Sequence, residues 1–273
     1  MYVEAAASAR KAVTIPALRA MKTRGEKIAM LTCYDASFAA QIEAADVDVA
    51  LVGDSLGMVV QGRNSTLPVT LDDMAYHTRL VARGLSATLL VADLPYMSYR
   101  DTAHARDAAA RLLGECGAAM LKLEGAGWVC EIIADLVARE APVCAHLGLT
   151  PQAVHRLGGY RVQGREADAA ECLCNDALAV QAAGAELLVL EAVPAALAAR
   201  ISQALQIPVI GIGAGVECDG QVLVLYDMLG ITPGKRPKFS KDFLTDAGSV
   251  ANALKAYVAA VRAAEFPGAE HVY

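Results

Sequence analysis

The feature that most constrains this chain is a repeat of short apolar runs, each of which stops on a polar side chain. Val49-Ala50-Leu51-Val52 leads through Gly53 to Asp54, and Leu89-Leu90-Val91-Ala92 stops on Asp93. Met120 to Leu123 carries Lys122 and stops on Glu124, and Leu187 to Leu190 stops on Glu191. Nearly continuous apolar runs read as parallel strands buried on both faces. A carboxylate cannot sit unpaired at the end of such a strand, because burying a lone charge is very costly. Repeated on strand after strand, these endings call for one shared polar site.

The runs recur along the whole chain. Strands are predicted at Ile28–Tyr34, Val49–Asp54, Thr88–Asp93, Ala118–Glu124, Val143–Leu147, Glu186–Glu191 and Pro208–Gly213. Helical patterns separate them. Leu71–Arg83 stops at Gly84, Thr102–Cys116 starts on a capping threonine, and Trp128–Glu140 stops before Pro142. Asp168–Ala183 stops at Gly184, and Pro194–Leu205 has proline in its first turn. This alternation gives βα units and a parallel sheet. Gln221–Gly230 reads either as an eighth strand or as a helix. The fold class is therefore α/β, a closed (β/α)8 barrel of the TIM type. An open doubly wound sheet competes, but no dinucleotide fingerprint or P-loop follows an early strand. The segment Thr14–Lys22, capped by Thr14 and followed by Gly25, predicts a helix before the first strand that closes the bottom of the barrel. Helices from Phe239 onward pack outside. With no linker or low-complexity stretch, residues 1–273 are expected to form one domain.

Composition narrows the function. Hydrophobic residues make up 55% of the 273 and charged ones 20%, enough for a real core. A net charge of −6 argues against a general binder of nucleic acid or membrane surfaces. The seven cysteines are odd in number and contain no C-x-x-C pair, which points to buried free thiols in a reducing compartment. The Cys172/Cys174 pair falls on different helix faces and makes a poor metal clamp. No signal-peptide core or bilayer-length apolar stretch is present, so a cytoplasmic location is expected.

Side chains two apart on a strand share a face. Asp54, Asp93, Lys122 with Glu124, His146 and Glu191 then point to one mouth, at the end where barrel active sites are built. A single such acid is most simply a helix cap. Four on neighbouring strands repel, and Lys122 brings only one positive charge. A divalent cation completes the balance. The all-oxygen donors suit Mg²⁺ first, Mn²⁺ or Co²⁺ next, and Zn²⁺ less. Such a metal could take a 2-oxo acid through its carboxylate and keto oxygens and polarise the carbonyl. Lys122 can meet the carboxylate or the developing oxyanion, Ser55 the carboxylate, and Glu191 is the candidate general base. His146 is a proton carrier, a substrate contact or a structural prop. Lys122 as a Schiff-base nucleophile is disfavoured, since the surrounding acids keep it charged. The long connections Ser55–Thr70 and Gly148–Ala167 read as binding loops. Gly211, Gly213 and Gly215 follow the seventh strand, a place where barrels often bind phosphate. Lys235, Arg236 and Lys238 read as a solvated loop.

At these residues the chain becomes familiar. LVGDSLGMVVQG (Leu51–Gly62), STLPVT (Ser65–Thr70), VADLPYMSY (Val91–Tyr99), KLEG (Lys122–Gly125), PVCAHLGLTPQ (Pro142–Gln152), GGYRVQGR (Gly158–Arg165), LLVLEAVP (Leu187–Pro194) and PVIGIGAG (Pro208–Gly215) closely resemble the ketopantoate hydroxymethyltransferase family. The resemblance runs from about Thr14 to the C-terminal region. It implies a Mg²⁺-dependent (β/α)8 barrel assembled as a homodecamer, a pentamer of dimers. It implies transfer of a hydroxymethyl unit from 5,10-methylenetetrahydrofolate to 3-methyl-2-oxobutanoate, giving 2-dehydropantoate and tetrahydrofolate, at the first committed step of pantothenate biosynthesis. Carried over by motif, the metal group is Asp54, Asp93 and Glu124. The substrate group is Asp54, Ser55, Asp93 and Lys122, and the proton acceptor is Glu191. A lyase or mutase of the phosphoenolpyruvate mutase and isocitrate lyase type is the alternative enzyme. Such enzymes commonly use a loop cysteine, and neither long loop here has one. A non-catalytic metal and oxo-acid sensor is the third reading, which the intact base and metal set disfavour.

Overall fold

The computed structural model describes residues 10–234 and 236–273. Eight strands, β1 (Ile28–Thr32), β2 (Val49–Val52), β3 (Leu89–Asp93), β4 (Met120–Glu124), β5 (Val143–Gly148), β6 (Leu187–Glu191), β7 (Val209–Ile212) and β8 (Gly220–Leu223), pair in parallel and in sequence order. β8 pairs back onto β1, closing the barrel. Every strand residue is buried except Gly148 and Glu191, the last residues of β5 and β6. That pattern is the physical reason the strands read as continuous apolar runs.

Several helix boundaries follow local capping chemistry. Thr14 accepts a hydrogen bond from the Ala17 N–H, and the helix Ile15–Arg24 ends on left-handed Gly25. Thr70 and Asp73 form a reciprocal capping box at Leu71–Ala82. Four details differ from expectation. A helix at Ala36–Ala44, capped by Asp35, lies between β1 and β2, where the sequence pattern predicts none. The helix predicted to be capped by Thr102 is capped by Asp101 instead, and its second half, Ala110–Glu115, widens into a π-helix. Pro194 is the cap of Ala195–Ala204 and does not fall inside its first turn. The ambiguous run from Gln221 is both things in turn, β8 and then a helical turn at Leu225–Met228.

The N-terminal helix closes the lower end. Its Lys22 ammonium donates to the carbonyls of Ser202 and Ile207 and to Asp219 Oδ2, all of which precede β7 or β8. The C-terminal helix Val250–Arg262 packs outside on β1, with Tyr257 fully buried. The described cysteines are all free. Among the described residues no helix is long and apolar enough to cross a membrane.

Candidate active site

Register brings the strand-end residues together. Asp93 of β3 is the direct partner of Lys122 on β4, and Glu124 of β4 is the partner of His146 on β5. One step on, Gly148 of β5 pairs with Glu191 of β6. Asp54 lies two residues beyond β2, where its N–H donates to Asp93 Oδ2 at 3.0 Å. Asp54, Asp93, Lys122, Glu124 and His146 are all buried, while the Glu191 side chain keeps 15% of its surface exposed.

The electrostatics are those of a crowded acidic pocket with one strong cation. The Lys122 ammonium donates to Asp93 Oδ1 at 2.6 Å. Burial works against its charge, but Asp93, Glu124 and Asp54 outweigh that and hold it protonated well above the usual lysine range. Asp54 is driven the other way. Burial, then the charges of Asp93 and Glu124, raise its carboxyl well above the ordinary carboxylate value, with Lys122 and Gln152 opposing.

His146 lies between two acids, Nδ1 3.3 Å from Glu124 Oε1 and Nε2 3.3 Å from Glu191 Oε2. Both are ion-pair distances at angles that make no hydrogen bond, which leaves Glu124 Oε1 and both ring nitrogens buried without a hydrogen-bond partner. Burial and the Lys122 charge push the imidazolium down. Glu124 and Glu191 outweigh them and lift it to about 9. Ser55, beside Asp54, shares a 2.9 Å hydrogen bond with the Tyr34 hydroxyl.

Three residues that the strand pattern does not single out complete the site. Gln152 reaches in from the loop after β5, donating Nε2–H to Asp54 Oδ2 at 2.8 Å and to the Leu94 carbonyl at 3.0 Å. Its backbone N–H donates to Glu124 Oε2 at 2.9 Å. The Tyr99 hydroxyl donates to Gln152 Oε1 at 2.7 Å, and Tyr34 backs Ser55. The sequence signals for Gln152 are its place in a long βα loop and at the end of the PVCAHLGLTPQ motif.

Among the described residues no three His, Cys, Asp or Glu side chains are already gathered into a metal cage. Lys122 holds Asp93 Oδ1, the Gln152 amide holds Asp54 Oδ2 and the Gln152 backbone holds Glu124 Oε2, which leaves Glu124 Oε1 without a hydrogen-bond partner. The glycine run after β7 is packing space. A Cβ on Gly213 would come within 2.9 Å of the Phe239 ring, and one on Gly215 within 2.7 Å of Ala195. Of the basic loop, Arg236 pairs with Asp242, Lys238 sits over the Tyr273 ring, and Lys235 lies outside the described residues.

Comparison with known proteins places this geometry. The fold is similar to a phosphonopyruvate hydrolase solved with oxalate and Mg²⁺, with a TM-score of 0.59 at 13% identity over 77% of this chain and 80% of that one. It is also similar to a 2,3-dimethylmalate lyase of the phosphoenolpyruvate mutase/isocitrate lyase superfamily, at 0.53 and 17% over 72% and 70%. At those identities the likeness is one of fold. Sequence relatives are far nearer. The 3-methyl-2-oxobutanoate hydroxymethyltransferase of Nitrosococcus oceani is 59% identical over 96% of this chain and 99% of its own length. That of Burkholderia thailandensis is 57% identical over 97% and 98%. The family model described as ketopantoate hydroxymethyltransferase matches residues 12–269, which spans every strand of the barrel and the whole acidic mouth, and the chain belongs to that family.

Proposed function

We propose that this enzyme transfers a hydroxymethyl unit from 5,10-methylenetetrahydrofolate to 3-methyl-2-oxobutanoate, giving 2-dehydropantoate and tetrahydrofolate, the first committed step of pantothenate biosynthesis. Family membership over nearly the whole chain supports the substrates. The observation that carries the chemistry is the placement of one partly exposed carboxylate, Glu191, beside a buried cluster of Asp54, Asp93, Lys122 and Glu124.

The donor set suits Mg²⁺. It is all oxygen, burial and the neighbouring Asp93 and Glu124 disfavour the charge on Asp54, and Glu124 Oε1 is buried with no hydrogen-bond partner. Asp54, Asp93 and Glu124 would hold the ion. When bound, it supplies Lewis-acid polarisation of the oxo acid's carbonyl. The chain's own residues do the rest. Lys122 and Ser55 meet the substrate's carboxylate end, with Asp54 and Asp93 lining the same pocket and His146 beneath. Glu191 takes the proton from C3, next to the carbonyl, and holds it. The carbon left with the electron pair bonds to the methylene carbon of the folate, both C–N bonds of that methylene break, and water supplies the hydroxyl. The proton taken by Glu191 and one proton of that water pass to the two folate nitrogens, giving tetrahydrofolate.

We assign residues 1–273 to one barrel domain acting on small molecules. We place it in the cytoplasm, in line with its free thiols, and propose the homodecamer of its family, a pentamer of dimers. The test mixes the protein with Mg²⁺ and both substrates and follows the product by NMR. A Glu191→Gln protein should bind the oxo acid yet lose deuterium exchange at C3. Exchange at the native rate would assign the base elsewhere.

A further inference from the structure

Gln152 hydrogen-bonds two of the three candidate metal carboxylates, one through its side chain and one through its backbone, and it does so from a loop and not from the barrel. It lies in a single 3-10 turn, Pro151–Ala153, at the start of the long connection after β5. It is buried, and its backbone N–H and both ends of its side-chain amide are all engaged.

The amide has only one sensible orientation. The two groups at its nitrogen end, Asp54 Oδ2 and the Leu94 carbonyl, are acceptors. The group at its oxygen end is the Tyr99 hydroxyl, which donates. That hydroxyl also receives a long hydrogen bond, 3.4 Å, from the Glu124 N–H. The acceptors Asp54 and Leu94 therefore fix the direction of the amide, Tyr99 supports its oxygen end, and the amide in turn holds Asp54. The Gln152 backbone fixes Glu124 at the same time, by holding Oε2 and leaving Oε1 as the unpartnered oxygen.

From these contacts we infer that Gln152 is a positioning residue for the cation site: it holds one oxygen of Asp54 and one of Glu124, turning each carboxylate so that its other oxygen is available, and ties the order of the 148–167 loop to occupancy of the site. The inference rests on the metal reading above and adds to it the residue that preorganises the donors. Without Gln152 each carboxylate is freer to rotate, and a cation must order both on binding, which lowers affinity. Hydrogen-bond partners of ligating groups typically contribute 10- to 100-fold to metal affinity. The loop loses one of its anchors in the same step, because its ties to Asp54, Leu94, Tyr99 and Glu124 run through this one residue.

The experiment measures Mn²⁺ binding by electron paramagnetic resonance and calorimetry on full-length protein without substrate, together with hydrogen exchange of residues 148–167. Gln152→Met keeps the side-chain length and the backbone N–H but removes the amide hydrogen bonds. It should weaken Mn²⁺ binding by about 10-fold or more and speed exchange in the loop. Tyr99→Phe, a gentler change that leaves Gln152 in place, should move both readouts in the same direction by a smaller factor, and it stands in if Gln152→Met does not fold. A folded variant that binds Mn²⁺ within about twofold of the wild type overturns the inference while leaving the metal reading intact. A wild-type protein that binds no Mn²⁺ overturns both.

Discussion

His146 Nε2 stands 3.3 Å from Glu191 Oε2, and the opposite ring nitrogen faces Glu124 at the same distance. One buried imidazole therefore separates the proposed base from a proposed metal carboxylate. With both nitrogens turned to acids, the ring props Glu191 more directly than it contacts substrate. His146→Asn, which is shorter and cannot span both, should leave Glu191 free to swing. The expected result is a loss on the order of 100-fold in C3 deuterium exchange, with little change in oxo-acid binding. A loss confined to binding would place His146 on the substrate instead.

Lys122 and Asp93 form a buried pair whose partners cannot be lost singly. Their side chains are about equally buried, 5% and 4% exposed, and meet at 2.6 Å. Lys122→Met leaves Asp93 uncompensated among Asp54 and Glu124. Breaking such a pair typically costs about 3–5 kcal/mol, readable as a lower urea midpoint at neutral pH. The double variant Lys122→Met/Asp93→Asn removes the stranded charge and should regain much of that loss while remaining inactive. If the double variant is no more stable than the single, the cost lies in packing and not in charge.

Much of this is legible without coordinates, and the division is physical. Strand ends can be read because side-chain direction alternates every residue, so Asp93, Lys122, Glu124 and Glu191 declare their face by position alone. Asp35 escapes notice as a cap because the apolar run through Tyr34 masks the turn into Ala36–Ala44. Gln152 and Tyr99 do not stand out because no periodicity governs where a long loop puts a side chain. The lack of a three-carboxylate cage among the described residues is equally invisible. Strand parity gives a shared direction but does not say which carboxylate oxygens Lys122 and Gln152 hold.

Glu43 offers a pH test at the other end of the barrel. Its carboxylate accepts from the N–H groups of Ser86, Ala87 and Thr88 and from the Ser86 hydroxyl, sealing the turn before β3. Partial burial pushes its carboxyl up, but hydrogen bonds from Thr88 and Ser86 outweigh this and hold it below the usual range. A group whose folded value is depressed contributes fully above its unfolded value and fades as pH falls through the folded one. Glu43→Gln should therefore be less stable than wild type by about 1–2 kcal/mol at neutral pH. The gap should shrink below roughly pH 4, where the wild-type carboxylate protonates. A gap constant from pH 7 to pH 3 would mean that the charge plays no part.

Gly148 links the backbone of β5 to the proposed base. It sits at φ +88°, paired in register with Glu191, and the next N–H, from Leu149, donates to the Glu191 carbonyl at 2.8 Å. A Cβ at this position would stand 2.3 Å from that carbonyl oxygen and 2.7 Å from Val193 Cγ2. Neither neighbour is the free end of a flexible side chain, so the backbone of β5 or β6 must move. The left-handed conformation adds its own cost for any residue with a Cβ. Gly25 provides the control, because it has a similar φ of +70° but nothing within 4 Å of its Cβ position. Gly25→Ala should lose only about 1 kcal/mol of stability and keep full activity. Gly148→Ala should lose more, about 1–3 kcal/mol from strain alone, and slow C3 exchange as the Glu191 backbone shifts. Equal melting temperatures and exchange rates for the two variants would show that the close approach at Glu191 does not position the base.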